Sequence, residues 1–191
     1  MTLAQTPAAR AQLPAINELV VISPDLQDNR FLMQNAPPQA AVLRLCQEQN
    51  GLAAIWQRLA ALPPIHRIHL VTPSRGEGLQ LGSVLLRYDT VPNYASALCQ
   101  WRSRLAPKAE ILIYNDQAAR TEAGKLLIDI LHYLTGAAIA VCTTLPNTLA
   151  PTGKWELDCV TQILQPELTF SPAVVTQTRA SKNISNYGEI N

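Results

Sequence analysis

The chain has 191 residues, 48% of them hydrophobic and only 15% charged, with a formal net charge of +1. At this length about 70% of the surface can be buried in one core, so a single domain needs neither disulfides nor a structural metal to hold it together. The near-zero charge supplies no field to gather nucleic acid or anionic lipid, and composition alone names no activity.

Residues 1–15 read as a flexible N-terminus. They hold no continuous apolar stretch of the signal-peptide kind, so the chain is expected in the cytoplasm, or exported without a conventional signal peptide. Residues 19–22 form a short β-branched run stopped by Pro24, and residues 41–46 form a second apolar run; both read as buried strands. Asn50 is a plausible N-cap. After it Leu52, Ile55, Trp56, Leu59 and Leu62 recur at helical spacing until Pro63 and Pro64 end the helix. Residues 65–72 are a strand halted by Pro73. In residues 79–88 two apolar runs meet at Gly82-Ser83, which predicts a hairpin.

A helix is predicted over residues 91–106, with Tyr94, Ala97, Leu98, Trp101 and Leu105 on one stripe and Pro107 closing it. A strand follows at 111–114. The clearest helix covers 121–135, with Ala123, Leu126, Leu127, Ile130, Leu131 and Leu134 on one face, Thr121 near its start and Gly136 at its C-cap. Residues 137–143 are another buried strand, and one more is expected at 155–164. Strands alternating with single amphipathic helices call for parallel crossovers, hence an α/β fold with a mostly parallel central sheet and helices on both faces. The domain is expected over 16–165, followed by a polar, proline-punctuated tail or linker at 166–191. Asp129 and His132 interrupt the longest apolar stretch, so no membrane insertion is expected.

Ligands in such sheets collect beyond the carboxyl ends of the strands, which directs attention to the loops at 72–78 and 115–121. Ser74-Arg75-Gly76-Glu77-Gly78 lacks the third glycine and the lysine of a phosphate loop, so a plain turn is the simpler reading. His66 and His69 lie three apart on one strand, on opposite faces, and cannot share a metal; each reads as a histidine satisfied within the sheet or at its edge. His132, three residues after Asp129 on a helix, reads as a local ion pair or hydrogen bond. Cys46, Cys99, Cys142 and Cys159 are too scattered for zinc or thioredoxin chemistry and read as small buried apolar residues. Neither a metal nor a cofactor is expected.

Several segments recur together in a known order. Ile68-His69-Leu70-Val71, Leu79-Gln80-Leu81-Gly82, Ile111-Leu112-Ile113-Tyr114, Glu122-Ala123-Gly124, Leu134-Thr135-Gly136-Ala137 and Gly153-Lys154-Trp155-Glu156-Leu157 have the order and spacing of the bacterial domain-of-unknown-function family 4347, which the chain resembles over residues 19–158. Members typically form the N-terminal domain of repeat-rich, adhesin-like proteins. The resemblance implies a fold similar to the caspase and gingipain class of cysteine peptidases.

In that family the first of these strands is followed by Ser-His-Gly and the third by Gly-Cys, where a caspase-like enzyme keeps its base and its nucleophile. Here the positions read Thr72-Pro73-Ser74 and Asn115-Asp116. Pro73 has no proton-accepting side chain and Asp116 is a weak nucleophile at a peptide bond. Asn115 adds a side chain where the family keeps backbone room for an oxyanion. Cys142, on the neighbouring strand, has no base beside it. The resemblance therefore implies a non-catalytic pseudo-peptidase that binds or scaffolds another protein, with Arg75, Glu77 and Asp116 rimming the old cleft and Arg75 within reach of Asp116. The alternative is a hydrolase using Asp116 with Ser74 or Thr72.

Overall fold

A computed structural model describes residues 16–26, 29–34, 36–73, 78–115, 117–118 and 120–142. Five strands, β1 (Glu18–Ile22), β2 (Ala40–Arg44), β3 (Ile65–Val71), β6 (Leu105–Tyr114) and β7 (Ala138–Cys142), form one sheet in the order β2-β1-β3-β6-β7. Every pairing in it is parallel, with Leu19 opposite Ile68, Ile68 opposite Ile111 and Ile111 opposite Ile139. A separate antiparallel pair, β4 (Leu79–Leu81) and β5 (Val84–Leu86), turns at Gly82-Ser83 as the sequence predicts. Gly82 has φ +62 and packs so closely on the neighbouring turn that a Cβ there would collide with the Gln49 carbonyl oxygen, so both backbone and space require glycine.

Strand order dictates where the helices go. The chain leaves β1 through α1 (Asn29–Gln34) to β2 at one edge, then reverses through α2 (Gly51–Ala60) to β3 on the far side of β1. It continues outward through α3 (Ala95–Trp101) and α4 (Glu122–Thr135). Right-handed crossovers in opposite directions put their helices on opposite faces, so α1 stands alone on one side and α2, α3 and α4 share the other. On the three-helix side, Val21, Leu70, Ile113 and Val141 of the sheet join one apolar cluster with Ile55, Leu98, Trp101 and Leu127 of the helices. On the other side Leu32 of α1 packs with Val20, Ile22, Val71, Leu112, Tyr114 and Ala140.

Local chemistry sets the helix ends. Asn50 accepts a hydrogen bond from the Ala53 N–H and Thr121 one from the Gly124 N–H, which satisfies amides that have no partner inside α2 or α4. Gly136, at φ 69, closes α4 in the left-handed conformation.

Two stretches depart from the sequence reading. The helix expected over 91–106 is a 3-10 turn at Val91–Tyr94, then α3, then a second 3-10 turn at Arg102–Arg104, after which β6 begins six residues ahead of the expected 111. Pro107 ends no helix; it lies inside β6, where the register with β3 shifts and Lys108 takes φ 60, so a bulge absorbs the residue that cannot donate to the sheet. Cys46 and Cys99 are exposed, contrary to expectation, because one follows β2 into a turn and the other lies on the outer side of α3. The Cys142 side chain, Cys159, the strand expected at 155–164 and the segments 1–15 and 166–191 lie outside the described residues.

Candidate functional site

The sheet order reverses direction between β1 and β3, and the crevice beyond the carboxyl ends at such a point is where α/β folds place their ligands. Ile22 stands opposite Val71 and Val71 opposite Tyr114, so the next residues, Ser23, Thr72 and Asn115, form a row across the ends of three strands. All three are completely buried. Strand alternation points the row to the three-helix side. Ser23 Oγ has no hydrogen-bond partner among the described residues.

Asn115 is the organiser of this end. Its Nδ2 donates to Thr72 Oγ1 at 3.4 Å, to the Pro73 carbonyl at 3.3 Å and to the Gly78 carbonyl at 3.2 Å. Its Oδ1 accepts from the amides of Gln117 at 3.0 Å and Ala118 at 3.2 Å. One amide group thus fixes both ends of the first loop and the opening turn of the second. The first residues of the two loops, Thr72 and Asn115, are side by side, as the parallel pairing of β3 and β6 requires. Ser74, Arg75, Glu77 and Asp116 lie outside the described residues, and with them the expected Arg75–Asp116 pair.

The chemistry available among the described residues of this row is limited. A carboxamide does not accept a proton at neutral pH, proline has no functional group, and the Thr72 hydroxyl is sealed under Asn115 with no imidazole or carboxylate bonded to it. A cavity of about 460 Å³ opens nearby, between the ends of β1 and β2, and is lined by Pro24, Arg44, Leu45, Cys46, Gln47 and Glu48. It contains none of the expected site residues. Among the described residues no group of three or more His, Cys, Asp or Glu could hold a metal ion, and no helix is long and apolar enough to cross a membrane.

A second polar assembly, which the sequence reading did not single out, occupies the α1 side of the sheet. His69, 2% exposed, sits between Glu18 and Tyr114: Nε2 is 2.9 Å from Glu18 Oε2 and Nδ1 is 2.9 Å from the Tyr114 hydroxyl. The His69 and Tyr114 rings stack with centroids 5.9 Å apart. Glu18 also accepts from Gln39 Nε2 at 3.0 Å and lies 3.7 Å from Arg67, which in turn pairs with Glu110 at 2.7 Å. Residues 18, 67, 69, 110 and 114 share one face by alternation, and the available signal was a run of polar letters at even spacing inside apolar strands. The histidine does prove to be satisfied within the sheet. His132 bonds the Ala137 carbonyl at 2.6 Å, closing the end of α4, while burial raises the Asp129 pKa and the neighbouring His132 opposes this only in part.

Burial lowers the His69 pKa, and Arg67 adds to this, while the hydrogen bond and charge of Glu18 only partly oppose it. For Glu18, burial pushes upward but is outweighed by hydrogen bonds from His69 and Gln39 and by the charges of His69 and Arg67, leaving its pKa lowered. A neutral imidazole donating from Nε2 to an ionised Glu18 and accepting the Tyr114 proton at Nδ1 satisfies these contacts together. The unfolded chain binds protons that this assembly resists. The stability it contributes is therefore complete above about pH 6.5, declines as pH falls toward the lowered His69 value, and declines again as Glu18 titrates below its usual 4.5. The melting temperature is expected to drop between about pH 7 and pH 5, and His69→Gln, which has no proton to gain there, to flatten that slope. A wild-type melting temperature that stays level or rises on acidification would contradict it.

A family model described as Domain of unknown function (DUF4347) matches residues 19–180 of the chain. No curated protein and no solved structure matches it.

Proposed function

The chain belongs to the family described as Domain of unknown function (DUF4347), and from that premise we propose that it is a caspase-like pseudo-peptidase, a non-catalytic domain that binds or scaffolds another protein. The observation that carries this reading is Asn115. At the strand end where the resemblance puts a glycine and an oxyanion site, a buried carboxamide fills the space and spends its hydrogen bonds on Thr72, Pro73, Gly78, Gln117 and Ala118. Pro73 and Asp116 replace the base and the nucleophile of the resemblance, so neither half of a thiolate–imidazole pair is in place. A scaffold setting alongside adhesin-like repeat proteins fits the same resemblance and belongs to the same proposal. Thr72, buried with its hydroxyl accepting from Asn115, lends no support to the hydrolase reading.

The purified chain is expected to cleave nothing in peptide libraries covering basic, acidic and small apolar P1 residues, and to remain unlabelled by broad cysteine- and serine-hydrolase probes. Cleavage that disappears in Asp116→Ala and survives in the surface control Tyr133→Ser would establish the hydrolase instead. Tyr133 suits the control because it is 81% exposed.

A further inference from the structure

Helices that return antiparallel to the strands bring their C-termini together at the amino end of the sheet, opposite the Asn115 clamp. Arg58 lies there in the last turn of α2, Arg102 and Arg104 in the turn after α3, and Lys108 in the bulge that opens β6. Among the described residues none of these four side chains makes an ion pair or a hydrogen bond. Arg67, near the same end, is by contrast committed to Glu110 and Glu18.

Compensation of helix C-terminal carbonyls accounts for part of this clustering, since Arg102 lies against the Gly136 cap of α4. Three details exceed it. Arg58 Nε is buried with no acceptor among the described residues, a state that costs stability unless the acceptor comes from elsewhere. Arg104 is held with its guanidinium carbon 5.9 Å from the centre of the half-buried Trp56 ring, which orients the planar fork in advance. Lys108 is the one non-glycine residue at positive φ among those described, so an exposed charge is kept where glycine would fit without strain.

From these we infer that the amino-end pole is a docking surface for an acidic segment of a partner protein, an inference that rests on the binding role proposed above. Guanidinium forks match carboxylates two bonds at a time, and arginine and tryptophan are the residue types that dominate binding hot spots. A chain of net charge +1 lacks the wider field that holds a nucleic acid, which favours protein as the occupant.

The test is fluorescence anisotropy of the full chain with a labelled peptide of alternating Glu and Leu, beside the same peptide with Gln for Glu and a single-stranded oligonucleotide of equal charge. The Glu peptide is expected to bind saturably and to weaken with salt. The double variant Arg102→Glu/Arg104→Glu should weaken it by about tenfold or more, while Arg44→Glu, at the other end of the sheet, should leave it unchanged. Arg104→Lys keeps the charge and loses the planar fork, so it should also bind more weakly, and it serves if the double reversal does not fold. Absent binding, binding indifferent to all these variants, or tighter binding of the oligonucleotide would overturn the inference. The two readings fail separately: peptide cleavage by the chain would end the pseudo-peptidase role without touching this surface, and lost peptide binding with no cleavage would end only this surface.

Discussion

Leu127→Ala and Leu131→Ala are each expected to cost about 2–5 kcal/mol of unfolding free energy, through lost transfer energy and an unfilled cavity. The two side chains lie one turn apart on α4, 0% and 3% exposed, in the cluster that holds Ile111, Ile113, Ile139 and Val141 of the sheet. Because α4 is fixed at both ends, by Thr121 and by Gly136, it cannot slide to close the hole, which argues for the upper half of that range. Leu126, on the same helix but 48% exposed, is the internal control, and its replacement by alanine should stay within about 0.5 kcal/mol. Urea unfolding measures all three. A loss below about 1 kcal/mol at both buried positions would mean that α4 does not pack on β6 and β7 as described.

The bounds of that helix were the most legible part of the sequence, fixed by a threonine and a glycine, but its buried face is turned from the expected one: Leu126 is exposed and Ile128 is buried. The parallel sheet was readable for a related reason: β1 and the last four residues of β3 and of β6 are short apolar runs buried on both faces, a pattern that antiparallel sheets with one wet face do not produce. What the sequence concealed lies where two signals conflict. Leu105-Ala106-Pro107 continues the apolar stripe of α3 and ends in proline, so it imitates a helix terminus, yet hydrogen bonding to β3 draws it into β6 with a bulge. The six residues of α1 are too few to show a period at all. Its place on the opposite face follows from topology, through the handedness of a single crossover, and not from local propensity.

The site divides along the same line. That Thr72, Pro73 and Asn115 would gather at adjacent strand ends was readable from the order of strands. That Asn115 would be the residue holding them was not, since an asparagine after a strand ordinarily signals only a turn. The Glu18–His69–Tyr114 assembly depended on register. Glu18 and Tyr114 are each two residues out of line with the positions paired to His69, so the contacts are diagonal and appear only once the strands are aligned.

The clamp makes the second large prediction. Asn115→Ala removes the only side chain that bonds Pro73, Gly78, Gln117 and Ala118 together among the described residues, at a position with no exposed surface. Each buried carbonyl or amide left without a partner costs about 1–3 kcal/mol. Water entering at the part-buried Pro73 and Gln117 would recover some of this, so a net loss of roughly 2–4 kcal/mol is expected. Asn115→Asp separates the two halves of the clamp. A carboxylate keeps both acceptor bonds from Gln117 and Ala118 on one oxygen but turns its other oxygen, which cannot donate, toward the Pro73 and Gly78 carbonyls, so it should retain the turn after β6 and release the loop after β3. Hydrogen exchange is the informative readout. Protection should fall at both loops in the alanine variant, and in the aspartate variant chiefly at the amides of Thr72 and Gly78, because the amides of 117 and 118 still have their acceptor. If the aspartate variant matched the wild type in both stability and protection, the donor half of Asn115 would carry no weight, and the closed strand ends on which the pseudo-peptidase proposal rests would need another cause.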